Sequence, residues 1–427
     1  MANQIASRAR HQPFFGWYVV GAAFVVFFLG FGFIYSFSVF AKPIADSIHY
    51  DVEGVTALFS LCYTVYLITG VLAGFLADRV GARAVVALGG ILMGLGLLAA
   101  SQSTTNLQIS AAFGLGIGPG LGCFYVPASN VVEAWFIRRR GYATGITVLG
   151  FSTGNLVVGP VLAEAILRFG VRAALGGFGV IVLVAVPALA LLMISRPEDR
   201  GLYPDGDVQP PPTLAEEEGG LTLRQAIRTR AFWHLYMAIF LASFAIYLPF
   251  AHLGTFAVKY GASPVLASMV VGLLGLGGII GRLALGGYTD RVKPIVSLFI
   301  AFVGLALAMA IWYRSLNIWG LAVFAVVFGI FYTTSSAVEP AAIVNYFGER
   351  HGGAIMGMMF TSAAAGSLLG PTITAEVVDR TGSYGLAIVA GAALFVLAAA
   401  SLPALPKPPI ERIPQSDDRS GASPQQR

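Results

Sequence analysis

Twelve apolar stretches, each long enough to cross a membrane as a helix, are the strongest constraint in this 427-residue sequence. A helix that crosses the hydrocarbon core needs about 20 mostly apolar residues. Numbered as spans 1 to 12, the stretches are residues 15–41, 54–77, 82–101, 107–134, 141–167, 172–195, 232–258, 264–289, 294–313, 317–346, 352–378 and 384–402. The pattern predicts an all-α membrane protein.

The composition agrees with this prediction and excludes other classes of protein. Apolar residues make up 57% of the chain and charged residues only 11%, against about 25% in a soluble domain. A soluble enzyme, a nucleic-acid binder and a disordered chain are therefore excluded. Cys62 and Cys123 both lie inside apolar stretches, and neither has the spacing of a metal site. We expect no metal, no cofactor and no disulfide framework.

The spans fall into two groups of six, at residues 15–195 and 232–402. The segment 196–231 between them is rich in Pro, Gly and acidic residues, which predicts a solvated linker. Residues 1–14 predict a short polar N-terminus in the cytoplasm, and we expect the apolar stretch after it to be a retained first span and not a removed signal peptide. Residues 403–427 predict a disordered cytoplasmic tail.

Basic residues indicate how the chain is oriented in the membrane. With the N-terminus inside, 19 of the 26 Lys and Arg residues fall on the cytoplasmic side and 6 on the outer side. Cytoplasmic loops of membrane proteins carry such an excess. We therefore expect a multi-pass protein of the cell membrane (inner or plasma membrane) with both termini in the cytoplasm.

The two groups of spans resemble each other at a nearly constant offset. Asp78-Arg79 returns as Asp290-Arg291, 212 residues later. Three further pairs recur at offsets of 207 to 212: Gly141 and Gly145 with Gly353 and Gly357, Gly159-Pro160 with Gly370-Pro371, and Phe124-Tyr125 with Phe331-Tyr332. Two homologous six-helix halves are typical of transporters, whose binding site lies where the halves meet near the midplane.

The stretch Gly74-Phe75-Leu76-Ala77-Asp78-Arg79-Val80-Gly81-Ala82-Arg83 resembles the loop signature of the major facilitator superfamily between spans 2 and 3. A weaker copy lies between spans 8 and 9. The resemblance covers residues 15–402 and implies a transporter that works by alternating access. A carboxylate at a helix end pairs with guanidinium groups and helix dipoles, which predicts a cytoplasmic latch. Its residues are Gly74, Asp78, Arg79, Gly81, Arg83, Asp290 and Arg291.

Arg282 is the most informative charge in the chain. It lies inside span 8 without a counterpart in the first half, because the repeat places Gly70 there. The residue one turn before it, Gly278, is not an acid. Ionisable groups at this depth are functional candidates, and a guanidinium binds a carboxylate through two hydrogen bonds. We predict that Arg282 binds the carboxylate of a substrate; a pair with an acid on another helix is the alternative.

Other polar groups within the spans are weaker candidates. Tyr35, Tyr125 and Tyr332 each combine an apolar ring with a hydroxyl, and the last two are related by the repeat. They are predicted to line the substrate site, with His252 of span 7 as an auxiliary hydrogen-bonding group. His252, Glu133 and Glu339 are the candidates for carrying a coupled proton.

Two features narrow the resemblance to the monocarboxylate transporter family and the related oxalate/formate antiporter family. The segment Trp135-Phe136-Ile137-Arg138-Arg139-Arg140-Gly141-Tyr142-Ala143-Thr144-Gly145 is similar to the family's signature at span 5, and Arg282 matches its carboxylate-binding arginine. The aspartate that this family places at position 278 and its lysine in span 1 are missing. Proton symport by the usual residues is therefore open, and a uniporter or exchanger remains an alternative.

These observations predict a secondary transporter of a lactate- or pyruvate-like monocarboxylate, coupled to protons. The alternative is an antiporter of the oxalate/formate type, but the resemblance implies for that branch a lysine in span 11, which is missing here. One cation suits one carboxylate, and a second would be left uncompensated. Three other classes are disfavoured because the sequence lacks the features they need. A sensor would need a signalling domain, an enzyme would need clustered His or acidic residues within the spans, and a channel would need a repeated polar filter. We expect a monomer in the lipid bilayer, with the carboxylate and protons as its partners and no nucleic acid.

Overall fold

The computed structural model describes residues 14–49, 52–207, 220–289, 292–315, 317–348, 352–406 and 408. Within these ranges the chain is almost entirely helical, and the β-structure is limited to an isolated bridge between Gly220 and Gly348. The predicted all-α class is confirmed.

The first half contains spans 1 to 6. Span 1 consists of Gly16–Tyr35 and Phe37–Ile48, interrupted at Ser36. Spans 2 and 3 are Val52–Val80 and Ala82–Gln102. Span 4 is assembled from shorter pieces: Asn106–Ala111, the π-helical turn Ala112–Ile117, Gly118–Gly122 and Tyr125–Trp135.

Spans 5 and 6 lie within one continuous helical segment, Arg140–Ala190, of 51 residues. At 1.5 Å per residue a single helix of that length would measure about 77 Å, more than twice the hydrocarbon core. Gly170 interrupts it with φ 81° and ψ 161°, a conformation that glycine adopts without strain. The described residues thus contain eleven membrane-length apolar helices, one of which is two spans, in agreement with the predicted twelve.

The second half contains spans 7 to 12, which are Arg230–Lys259, Pro264–Thr289, Pro294–Arg314, Ile318–Phe347, Gly352–Thr381 and Gly385–Ser401. Successive spans alternate in direction. We call the end of the bundle that carries Gly81, the linker and Gly348 the linker end. The opposite end, which carries His49, Gly170 and Gly261, is the far end.

The beginning of the linker, residues 196–207, is docked on the first half, although its composition predicts a solvated segment. Asp205, with φ 59°, accepts hydrogen bonds from the backbone N–H groups of Ile137 at 3.0 Å and Arg138 at 2.8 Å. The side chain of Arg138 pairs with Asp207. Arg200 lies over the ring of Phe15, with 3.8 Å between its Cζ and the ring centroid. These contacts join residues 200–207 to the start of span 1 and the loop before span 5.

Spans 1 and 5 approach each other closely along a glycine face. A Cβ added at Gly150 or Gly154 would lie 2.4 Å from the carbonyl oxygen of Phe24 or Phe28, respectively. Small residues permit this kind of backbone contact between membrane helices. At Gly145, nearer the linker end of the same span, nothing lies within 4 Å of the added Cβ.

We therefore expect Gly150→Ala to destabilise the protein by about 1–3 kcal/mol, because the methyl group would push a carbonyl of span 1 aside. Gly145→Ala is the matched control and should be neutral or stabilising by up to about 1 kcal/mol, since alanine favours the helix. Melting temperatures of the two purified variants test this difference. Equal melting temperatures would contradict the close packing.

Candidate functional site

Aromatic side chains join the two halves near the middle of the bundle. The hydroxyls of Tyr35 in span 1 and Tyr332 in span 10 are 2.9 Å apart and share a hydrogen bond. The ring of Tyr35 stacks on Phe250 of span 7 at 4.6 Å between centroids. The ring centroids of Tyr63 in span 2 and Tyr247 in span 7 are 4.3 Å apart. The hydroxyl of Tyr63 also lies 3.3 Å from that of Tyr35. Tyr35 and Tyr332, both predicted site residues, are thus brought together across the interface.

Further contacts between the halves lie toward the far end. The hydroxyl of Thr372 donates to that of Ser60 at 3.2 Å, between spans 11 and 2. Asn155 of span 5 donates to the carbonyl of Val271 in span 8 at 3.4 Å. At the linker end, Gly141 and Gly353 have nothing within 4 Å of an added Cβ. Spans 5 and 11 therefore contact the other half toward the far end, and both have free space beside these two glycines at the linker end.

Span 8 points Arg282 between the halves. A Cβ at Gly275 would lie 2.1 Å from the carbonyl oxygen of Ser152 in span 5, so this face of span 8 packs against the first half. Gly278 faces both Ser152 and Thr333 of span 10. Residues three, four and seven positions apart share one face of a helix. Arg282 follows Gly278 by four residues and Gly275 by seven, and its side chain therefore projects between spans 5 and 10.

The surroundings of Arg282 are polar but not acidic. The half-buried guanidinium interacts electrostatically with the hydroxyls of Tyr125 and Tyr332, one from each half. Among the residues that the structure describes, no carboxylate oxygen lies within 4.0 Å of it. A desolvated guanidinium without a carboxylate partner can accept a bidentate anion. The three residues Arg282, Tyr125 and Tyr332 form the centre of the candidate site.

An apolar wall borders this centre on the side of the first half. Tyr125 begins the last helical segment of span 4, and its ring lies 5.9 Å from Phe27 and 5.8 Å from Phe151. Phe151 of span 5 also contacts Phe31 of span 1, with 4.1 Å between the ring centroids. The site thus combines one cation and phenol hydroxyls with aromatic surface, which suits a small anion with an apolar body.

Two hydroxyl groups that sequence reasoning missed lie one turn from Arg282. A Cβ at Gly278 would be 2.5 Å from Oγ of Ser152 and 2.7 Å from Oγ1 of Thr333. Neither hydroxyl has a hydrogen-bond partner among the described residues. The one sequence signal that could have pointed to them is the glycine at position 278. Because glycine has no side chain, the hydroxyls of Ser152 in span 5 and Thr333 in span 10 occupy the space beside it.

Glu133 and Glu339 lie two turns beyond the tyrosines, toward the linker end. Glu133 follows Tyr125 by eight residues in span 4, and Glu339 follows Tyr332 by seven in span 10. At 1.5 Å per residue these intervals correspond to about 10–12 Å along the helix axis. Both glutamates act electrostatically on Tyr125, and Glu339 also acts on Tyr332. Both acids therefore lie beyond the centre of the candidate site, and their role as proton carriers stays a prediction.

His252 has a different environment from the other predicted residues. It is 4% exposed, and its Nε2 lies 3.1 Å from the carbonyl oxygen of Pro371 in span 11. Its ring meets that of Tyr384, with 5.7 Å between centroids. These contacts link spans 7 and 11 within the second half, toward the far end. They do not include Arg282 or the site tyrosines, and the substrate-binding role of His252 stays a prediction.

The latch residues lie at the linker end of spans 2 and 3. Gly81, with φ 86°, forms the turn, and Gly74 packs against Val126 of span 4. Asp78, Arg79 and Arg83 are exposed, and in the described part of the chain none has an opposite charge within 4.0 Å. The second copy, Asp290-Arg291, lies outside the described residues. The latch therefore stays a prediction: its ion pairs would form in an arrangement of the two halves that differs from the one described here.

Two six-helix halves with a candidate site between them are the architecture of a membrane transporter. The chain belongs to the Major Facilitator Superfamily, whose sequence model matches residues 22–316.

Known proteins with similar sequences or structures agree with this assignment. Mouse (Mus musculus) monocarboxylate transporter 11 is 27% identical over 379 residues, covering 86% of this chain and 82% of the relative. The agnestins efflux protein AgnL12 of Paecilomyces divaricatus is 23% identical over 378 residues, covering 87% and 83%. A bacterial homologue of the human lysosomal transporter Spinster, in an inward-facing and unoccupied conformation, has a TM-score of 0.67 at 16% identity. That match covers 91% of this chain and 96% of the other.

Proposed function

We propose that the protein carries a small organic monocarboxylate across the cell membrane by alternating access, with Arg282 as the group that binds the carboxylate. The observation that carries the proposal is the guanidinium of Arg282, half-buried between the halves without a carboxylate within 4.0 Å among the described residues. The hydroxyls of Tyr125 and Tyr332 complete the anion site, and Tyr35 supports it through its bond to Tyr332.

The charge of the site favours a monoanion such as lactate or pyruvate. Arg282 is a single cation, and no Lys or Arg occurs between residues 352 and 378 of span 11. A second carboxylate would stay uncompensated in a medium of low dielectric constant, which is unfavourable. An antiporter of the oxalate/formate type is the alternative, and exchange in preloaded vesicles distinguishes it from a monocarboxylate transporter.

Glu339 is our proposed proton carrier, with Glu133 as its counterpart in the first half. A carboxyl group at membrane depth can take up and release a proton as the halves rearrange. Glu339 acts electrostatically on both Tyr125 and Tyr332, one tyrosine from each half, and Glu133 acts on Tyr125. The contacts of His252 with Pro371 favour a packing role for that residue.

The excess of basic residues at the linker end supports a cytoplasmic position for that end and for both termini. In this orientation, the contacts toward the far end would close the outer side, and we infer that the halves open toward the cytoplasm at the linker end. The latch residues Asp78, Arg79 and Arg83 would then pair with groups of the second half once the cytoplasmic side closes.

Uptake of labelled L-lactate into proteoliposomes, with and without an inward proton gradient, tests the proposed function. Accumulation driven by the gradient supports proton-coupled transport of a monocarboxylate. Absence of lactate uptake, together with exchange in vesicles preloaded with oxalate or formate, would favour the antiporter instead.

The glycine at position 278 provides a further test. We expect Gly278→Asp to raise the KM for lactate about tenfold or more, because a carboxylate one turn before Arg282 competes with the substrate for the guanidinium. A tenfold change corresponds to about 1.4 kcal/mol of binding free energy. Gly278→Ala introduces the same Cβ beside Ser152 and Thr333 without the charge, and it serves as the matched control. Equal defects in both variants would show that the effect is steric and not a competition for Arg282.

A further inference from the structure

A cavity of about 540 Å³ opens at the linker end, between the beginning of span 7 and the end of span 12. Arg228, Arg230 and His234 line it from one side, and Ser401 of span 12 lines it from the other. The cavity lies between the end of the linker and the second half. None of its lining residues takes part in the candidate substrate site.

The polar part of this cavity carries positive charge. Arg228 and Arg230 are exposed, and among the described residues neither has a carboxylate within 4.0 Å. No acidic residue belongs to the lining. By contrast, a second cavity of about 290 Å³, between spans 7, 11 and 12, has no charged residue in its lining. The first cavity is therefore suited to an anion.

The lining continues along span 7 as an apolar stripe. Arg230 and His234 are followed on the same helix face by Met237, Ala238 and Leu241. From residue 237 to residue 241 the helix rises about 6 Å, which is the upper part of one hydrocarbon leaflet of about 15 Å. Met237 is 48% exposed and thus offers apolar surface to a chain lying beside it.

Trp233 marks the level of the membrane interface beside the two arginines. It is 49% exposed, and its indole N–H donates to the carbonyl oxygen of Ile227 at 2.9 Å. Tryptophan concentrates at the boundary between headgroups and hydrocarbon. The basic residues thus lie at headgroup depth, and the apolar stripe lies at the depth of the acyl chains.

From this arrangement we propose that the cavity binds an anionic phospholipid. The phosphate lies between Arg228 and Arg230, and one acyl chain lies along Met237 and Leu241. Basic pockets beside membrane helices bind anionic headgroups in this way. A soluble anion would satisfy the arginines but would leave the apolar stripe uncovered, so the combination of basic and apolar lining favours a lipid. The proposal depends on the membrane fold and not on the identity of the transported substrate.

Native mass spectrometry of the purified full-length protein tests the proposal with added dioleoyl phosphatidylglycerol or dioleoyl phosphatidylcholine. We expect phosphatidylglycerol to be retained preferentially, and the double variant Arg228→Ala/Arg230→Ala to lose about tenfold or more of this binding. Arg224→Ala is the matched control, because Arg224 is exposed on the preceding short helix and does not line the cavity. Unchanged melting temperatures in lipid-free detergent establish that the variants fold.

Three results would overturn the proposal. One is equal retention of the two lipids by the wild-type protein, and another is equal loss in the double variant and the Arg224 control. The third is thermal stabilisation by inorganic phosphate as large as that by phosphatidylglycerol. Glu216, Glu217 and Glu218 lie nearby in the sequence, outside the described residues, and their replacement by glutamine is a further arm. Lipid binding that is unchanged in this glutamine variant supports the proposal. A preference for phosphatidylglycerol that appears only in the glutamine variant would mean that the acidic segment, and not a lipid, occupies the cavity in the wild-type protein.

Discussion

Arg282→Ala is expected to abolish concentrative uptake of L-lactate. The variant removes the only charged partner of the substrate carboxylate that the candidate site provides. Truncation of one member of a buried charge pair costs about 2–5 kcal/mol, and 2 kcal/mol corresponds to at least about 30-fold in transport efficiency. Initial uptake rates over a range of lactate concentrations, in proteoliposomes with matched protein content, measure the loss.

Two companion variants make the result specific. Arg282→Lys keeps the charge but loses the planar pair of donors, so we expect an efficiency between those of wild type and Arg282→Ala. Arg172→Ala removes an exposed arginine at the far end of span 6 and should leave uptake unchanged. Uptake by Arg282→Ala within twofold of wild type would exclude the proposed carboxylate site.

Glu339→Gln is expected to separate transport from the proton gradient. Glutamine preserves the size and hydrogen bonding of the side chain but cannot release a proton. An inward gradient of about one pH unit is worth about 1.4 kcal/mol, which supports about tenfold accumulation by a one-to-one symporter. We expect this accumulation to disappear in the variant, while exchange of labelled lactate against lactate inside the vesicles continues at nearly the normal rate.

The control for this variant is Glu376→Gln. Glu376 lies at the far end of span 11 and forms an exposed ion pair with Arg380, with 2.5 Å between Oε1 and Nε. Exposed pairs of this kind contribute little, so accumulation should be preserved. Gradient-driven accumulation that survives in Glu339→Gln would assign proton transfer to another group, with Glu133 tested next and then His252.

Hydropathy predicted the architecture well because a membrane span is a property of a continuous segment. The predicted ends of spans 5 and 6, at residues 167 and 172, enclose the turn at Gly170 that divides the 51-residue helix. The interruption of span 1 at Ser36 was not predicted, since both flanking helices are apolar. Arg282 was found for a related reason: a charge within an apolar stretch is visible without knowledge of the fold.

Features that depend on two distant segments could not be obtained from the sequence. The polar linker composition indicated solvent exposure, but the carboxylate of Asp205 meets the N–H groups of Ile137 and Arg138 only in the folded protein. Tyr63 and Tyr247 are ordinary aromatic residues in the sequence, and their contact across the halves requires the packing of spans 2 and 7. The interface therefore had to be observed in three dimensions.

The most direct test of the central claim is a binding measurement that separates the charge of the substrate from its shape. Titration calorimetry of the purified protein with L-lactate and with its neutral amide, L-lactamide, compares two ligands of similar size. We predict that the wild-type protein prefers lactate by about 30-fold or more, and that Arg282→Ala binds both compounds equally weakly. A wild-type protein that does not discriminate between them, or an Arg282→Ala variant that keeps the same preference for lactate, would contradict the assignment of Arg282.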